Sequence, residues 1–176
     1  MTYIPPEMIE HILHLSDSST LQNCLQIKDL TKISQKILDK RYQRCLKVLI
    51  ELGMDENTAT NQLDNRCIVL SNLEETVTDA SIITLKNCPG LTKIYLLDCS
   101  NITDTSVTEL AQGCPELMVI CLWNITALTD ISMRALAKYC PKLRLVGLLN
   151  NHKITKDTIK LLRDKGVEVS VAYPYR

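Results

Sequence analysis

Residues 88–114 read CPGLTKIYLLDCSNITDTSVTELAQGC, and their pattern recurs along the chain. Cys88-Pro89, Cys114-Pro115 and Cys140-Pro141 follow one another at a constant 26-residue step. After each pair comes an aliphatic triplet: Leu91, Ile94 and Leu96, then Leu117, Ile120 and Leu122, then Leu143, Val146 and Leu148. Thr78-Asp79, Thr103-Asp104, Thr129-Asp130 and Thr155-Lys156 each precede a leucine by seven residues: Leu85, Leu110, Leu136 and Leu162. Four features keeping one register at a period of roughly 20–29 residues imply stacked structural repeats.

Each repeat predicts one strand, one loop and one helix. Ile94 and Leu96 alternate with Tyr95, as a strand buried on one face requires. The Thr-Asp pair offers side-chain oxygens to cap a helix. Beyond it Val107, Leu110 and Ala111, then Met133, Leu136 and Ala137, carry the i, i+3, i+4 spacing of an apolar helical stripe. Proline after each cysteine ends the helix and returns the chain to the next strand. One such unit cannot bury its own face, so neighbours must stack.

Composition agrees. The 176 residues include 27 Leu and 17 Ile, no Phe and one Trp, as layers filled with aliphatic side chains would need. Twenty basic and twenty acidic side chains leave no net charge, against the Lys/Arg excess of a nucleic-acid binder. Contacts led by apolar burial and only weakly sensitive to salt are therefore expected. No apolar run reaches the ~20 residues of a membrane helix, and no secretory signal opens the sequence. A soluble intracellular protein with reduced thiols is the expectation. The eight cysteines include no C-x-x-C pair, and no metal or other cofactor is expected.

The repeated pattern resembles the cysteine-containing class of leucine-rich repeat over residues 67–176. That resemblance implies an α/β solenoid of about four repeats, with Cys88, Cys114 and Cys140 as buried fillers. Cys99 at the motif's second cysteine becomes Ile125 and then Asn151, and Ile125 suggests a locally altered loop. The fourth repeat, with Lys156 and Gly166 in place of Asp and Cys, reads as a terminal unit. Strand residues facing away from the core would line the concave face: Lys93, Tyr95 and Leu97; Val119, Cys121 and Trp123; Leu145, Gly147 and Leu149. The same 26-residue step adds Val171, Tyr173 and Tyr175. Tyr95, Leu97, Trp123, Leu149, Tyr173 and Tyr175 are the expected partner-binding residues, since an apolar strip with aromatic anchors suits a protein interface. The competing expectation is that a tight arc packs these side chains against one another.

Residues 1–53 do not repeat. Met8, Ile9, Ile12 and Leu13 predict a first helix after Pro5-Pro6, and Leu21, Cys24, Leu25 and Ile27 a second. Leu30, Ile33, Ile37, Leu38, Tyr42, Cys45, Leu46 and Leu49 predict a longer third, ending at Gly53. Such a three-helix bundle could simply cap the solenoid. The run Ile4-Pro5-Pro6-Glu7-Met8-Ile9, with Ile12, Leu13, Leu21 and Ile27, also resembles an F-box, without that family's tryptophan near position 31. The resemblance implies that Ile4, Pro5, Ile9, Ile12, Leu13, Leu21 and Ile27 face the bundle core or a Skp1-like adaptor. Residues 54–66 read as a linker or the start of the solenoid.

No nucleophile elbow, phosphate loop, zinc-helix motif or dinucleotide fingerprint is present. Paired acids such as Asp55-Glu56 and Glu74-Glu75 read as solvated, and His11 and His14 lack a third ligand. The expectation is a non-enzyme: a substrate receptor of a Skp1–cullin–F-box ubiquitin ligase, cytoplasmic or nuclear, monomeric outside the complex. The repeats also resemble the Amn1-type proteins, which implies the alternative of a binder acting without a ligase. A microbial effector mimicking a host F-box protein, working in host cytosol, is a third option.

Overall fold

The computed structural model describes residues 31–71, 76–88 and 90–171. The adaptor-docking set Ile4, Pro5, Ile9, Ile12, Leu13, Leu21 and Ile27 lies outside them, with the first two expected helices. So do Tyr173, Tyr175, His11, His14 and the Glu74-Glu75 pair. Among the described residues the chain is α/β: six helices and one five-stranded parallel sheet whose strands follow sequence order.

Helix α1 (Thr31–Glu51) buries Ile37, Leu38, Cys45, Leu46 and Leu49, the stripe its spacing predicts. It stops where Gly53 takes φ +94°, Gly53 N–H bonding Ile50 O and Met54 N–H bonding Leu49 O. That paired closure needs a left-handed residue, hence glycine. Residues 54–66, read as a linker or the start of the solenoid, contain a second helix, α2 (Glu56–Asp64). Its N-cap Asp55 accepts from Thr58 N–H at 3.0 Å, so one carboxylate of the Asp55-Glu56 pair has a structural partner.

Strands β1 (Cys67–Ser71), β2 (Lys93–Leu97), β3 (Val119–Trp123), β4 (Leu145–Gly147) and β5 (Glu168–Ser170) alternate with helices α3 (Asp79–Leu85), α4 (Asp104–Gly113), α5 (Asp130–Tyr139) and α6 (Lys156–Asp164). Ile68, Ile94, Ile120 and Val146 pair in one row across the first four strands, at the expected constant step. Together with Leu70, Leu96, Leu122 and Leu148 they bury one sheet face against Ile82, Leu85, Val107, Leu110, Met133, Leu136 and Leu162 from the helices. Helix α1 packs on α2 and on α3, and α3, α4, α5 and α6 pack on one another in order.

The last step is three residues shorter than the others: Val146 pairs with Val169 and Leu145 with Glu168. Earlier repeats leave the helix through a Cys-Pro turn, as where Cys114 N–H bonds Leu110 O and Leu117 N–H bonds Cys114 O. Helix α6 instead closes on Gly166 (φ +81°), with Val167 N–H on Leu162 O. This tighter turn brings the chain back to the sheet sooner.

The repeated cysteines are buried and carry weak hydrogen bonds between layers. Cys114 Sγ donates to Lys86 O at 3.5 Å, and Cys140 Sγ to Ala111 O at 3.6 Å. A small thiol fills the space behind the preceding helix and satisfies a carbonyl at its end. Cys88 meets Cys45 of α1, so α1 occupies the place of a preceding layer. The free edge of β1 is covered by α2, whose Gln62 Oε1 accepts from Val69 N–H at 2.9 Å.

Between layers the Thr-Asp pairs do more than cap their own helices. Thr103, Thr129 and Thr155 are the N-caps, while each aspartate reaches forward to the next cap. Asp79 takes Thr103 N–H and Oγ1–H at 2.8 and 2.6 Å. Asp104 takes the same groups of Thr129 at 2.9 and 2.6 Å, and Asp130 those of Thr155, both at 2.8 Å. Asp104 also accepts from the buried hydroxyl of Ser132 in α5. Just past the strands, Asp98, Asn124 and Asn150 all take positive φ, between 57° and 59°. Their side chains bond in file, Asn124 Nδ2 to Asp98 Oδ1 at 2.5 Å and Asn150 Nδ2 to Asn124 Oδ1 at 2.6 Å. The turn before Ile125 keeps this backbone conformation, but Ile125 has no donor for the bonds that Cys99 makes to Leu70 O and Leu97 O and that Asn151 makes to Leu122 O and Leu149 O.

Burial opposes ionisation of Asp104, but the bonds from Ser132 and Thr129 outweigh it and hold the carboxyl below the usual range. A carboxylate whose folded pKa is depressed contributes its stabilisation above the unfolded pKa and loses it as pH falls through the folded one. The Asp104 contribution to stability should therefore be level from about pH 5 upward and decline below about pH 4. Asp104→Ala should cost about 1–3 kcal/mol in urea unfolding at pH 7 and flatten the acid limb. Unchanged unfolding by this variant would refute the inter-layer role.

Candidate functional site

Alternation along the strands leaves three rows on the sheet face opposite the helices. One row runs Cys67, Lys93, Val119, Leu145, Glu168; the next Val69, Tyr95, Cys121, Gly147, Ser170. The third holds Ser71, Leu97 and Trp123, with Leu149 following β4. The repeats read from residue 67 include β1, but its column is missing from the concave-face positions named from the sequence. Gln62 stands one period before Cys88, so no Cys-Pro pair announces that repeat. The constant step taken backward from Lys93–Leu97 does mark Cys67–Ser71 as its strand.

The fifth column is corrected by the shorter last step. Glu168 and Ser170 occupy the places assigned to Val171 and Tyr173. The row therefore ends on an exposed carboxylate, and charged Lys93 and Glu168 flank its apolar middle.

Tyr95, Leu97, Trp123 and Leu149 are half-buried, and Val69 is 38% exposed. Trp123 is held by its neighbours. A Cβ on Gly147 would come within 2.7 Å of the indole Nε1 and 3.0 Å of Cys121 Sγ. The indole thus lies across β4, over a position where only glycine leaves room. Self-packing accounts for Trp123, Cys121 and Gly147, while Tyr95, Leu97 and Leu149 continue the partly open strip around them.

The arrangement offers shape and apolar area. Burial pushes the Cys121 thiol up to about 11 and that of Cys140 to about 12. Cys88 is raised by its hydrogen bond with Cys45 and then by burial. At neutral pH these sulfurs are thiols, and the thiolate is the nucleophile. Among the described residues no group of three or more His, Cys, Asp or Glu side chains is placed to hold a metal ion. Nor is any helix there long and apolar enough to cross a membrane.

Because Trp123 is the sole tryptophan, its emission reports this face. Gly147→Ala should displace the indole, shift the emission maximum to longer wavelength and destabilise the fold by about 1–3 kcal/mol. An unchanged spectrum would mean that the indole does not rest on β4. Cys121 in the native protein should label far more slowly at pH 7 than in urea; equal rates would contradict its burial. No family model matches this chain, and no curated protein matches it.

Proposed function

We propose that this chain is a leucine-rich-repeat solenoid that binds a protein segment on the open face of its sheet. In this reading it serves as the substrate receptor of a Skp1–cullin–F-box type ubiquitin ligase. The observation that carries the binding half is the sheet itself. One face is packed by helices, and the other presents half-buried Tyr95, Leu97, Trp123 and Leu149 in adjoining positions. Large amphipathic side chains on rigid strands lose little entropy on binding and exclude water well. A receptor only positions its target, so it needs no nucleophile, and the protonated thiols fit that role.

The adaptor half rests on the F-box resemblance of Ile4, Pro5, Ile9, Ile12, Leu13, Leu21 and Ile27. One observation favours the second reading, a binder that acts without a ligase: α1 is built into the common core and stacks Cys45 on Cys88. A helix used as the end cap of the stack has a structural reason to exist apart from any adaptor.

A pull-down with a Skp1-like adaptor separates the two. Wild type should be retained and Pro5→Glu/Ile9→Glu should not. Failure of wild type to bind at any salt concentration would leave the stand-alone binder. Trp123→Ala should abolish capture of the target while unfolding remains cooperative, and surviving capture would remove the open face from the interface.

A further inference from the structure

The open sheet face carries two charges within its first row, and they are opposite in sign. Lys93 and Glu168 are both exposed, and between them stand half-buried Val119 and Leu145. No other position in the three rows is charged. The pairing Lys93–Val119–Leu145–Glu168 spans three strand spacings, so the two charged positions lie about 14 Å apart. Tyr95 stands beside the Lys93 end of this track, and the Trp123 indole over Gly147 borders its middle.

Neither charge is answered from within, since neither enters an ion pair among the described residues. Of the acids around the strand starts, Glu116 is held by Lys142 at 2.6 Å and Asp64 accepts from Tyr42 at 2.9 Å. Arg144 and Lys165 precede β4 and β5, and neither pairs with Glu168.

An apolar track closed by opposite charges describes its occupant. An extended chain rises about 3.3 Å per residue and turns alternate side chains to the same side. Residues i and i+4 then lie about 13 Å apart and face one way, with i+2 midway. On the open-face reading proposed above, we infer that the target is an extended protein segment with an acidic and a basic side chain four residues apart and an aliphatic one between. Laid across the strands, its acid meets Lys93, its base meets Glu168, and the aliphatic side chain rests on Val119 and Leu145. A segment with like charge at either end is penalised, which gives the face a selectivity that apolar area alone lacks.

A second copy is the competing occupant, because a two-fold axis through the face would oppose the two charges of one copy to those of the other. Five strands of at most five residues present a sheet area of only about 300 Å². A stable interface buries about 800 Å² per partner, which favours the short segment.

The test is selection from a random peptide library displayed on phage, with the full chain as bait. Peptides enriched by wild type should carry Asp or Glu and Lys or Arg four positions apart, with an aliphatic residue midway. Lys93→Glu, acidic at both ends of the track, should instead enrich peptides basic at both positions, and Glu168→Lys peptides acidic at both. In anisotropy with a fluorescein-labelled synthetic copy of the strongest wild-type peptide, each reversal should weaken binding about three- to tenfold at low salt. Raising NaCl to about 300 mM should narrow that difference. Far-UV circular dichroism checks that both variants fold as wild type does. The same charge pattern from all three baits, or no enrichment by wild type, would overturn the inference. Peptides lost on Trp123→Ala but indifferent to both reversals would keep the open face as a binding site and remove only its charge rule. Peptides retained by Trp123→Ala would remove the face itself. A dimer in sedimentation that either reversal disrupts and Lys93→Glu/Glu168→Lys restores would give the face to a second copy and overturn the inference too.

Discussion

The layers of α4, α5 and α6 are each positioned by a carboxylate belonging to the layer before. Asp104 binds the backbone and hydroxyl of Thr129, and Thr129 in turn sets the first turn of α5. Asp79 and Asp130 make the same forward link. The spacing between helices is thereby fixed at the edge where the strands end, and the strand pairs inherit that spacing as a constant offset. Ile68, Ile94, Ile120 and Val146 fall into one buried row as a consequence. The sheet face that remains, with Tyr95 beside Cys121 and Leu97 beside Trp123, is a by-product of the same register.

Most of this was legible because it repeats. Cys-Pro, the aliphatic triplet and Thr-Asp each mark one event in the chain path, and a fixed period locates strands without knowledge of contacts. What could not be read were departures from the period. Gly166 gives no sign in isolation that it will close α6 in a tighter turn. Yet this shifts β5 by three residues and replaces two expected positions, one of them aromatic, with Glu168 and Ser170. The helix α2 was hidden for a related reason. Only Ala59 and Leu63 in it are buried, too few for a convincing stripe, and its main service is to cover an edge rather than to fill a core.

The aspartates illustrate a subtler limit. Their type and spacing predict a helix cap, and a Thr-Asp pair satisfies that expectation whichever residue does the capping. Only the fold shows that threonine caps its own helix while aspartate serves its neighbour. Charge was similarly incomplete as a sequence quantity. The net value is zero, but Arg134 and Lys160, one period apart in the chain, come onto adjoining helices through stacking.

Lys156 stands where the earlier repeats have aspartate. Helix α6 therefore receives a forward link from Asp130 and, among the described residues, extends none, and its strand β5 has three residues. In an array whose layers lean only on neighbours, cooperativity is one-dimensional. Among the described residues the layer of α6 and β5 meets a neighbouring layer on one side, where the layers of α4 and α5 meet one on each side, so fewer contacts oppose its opening.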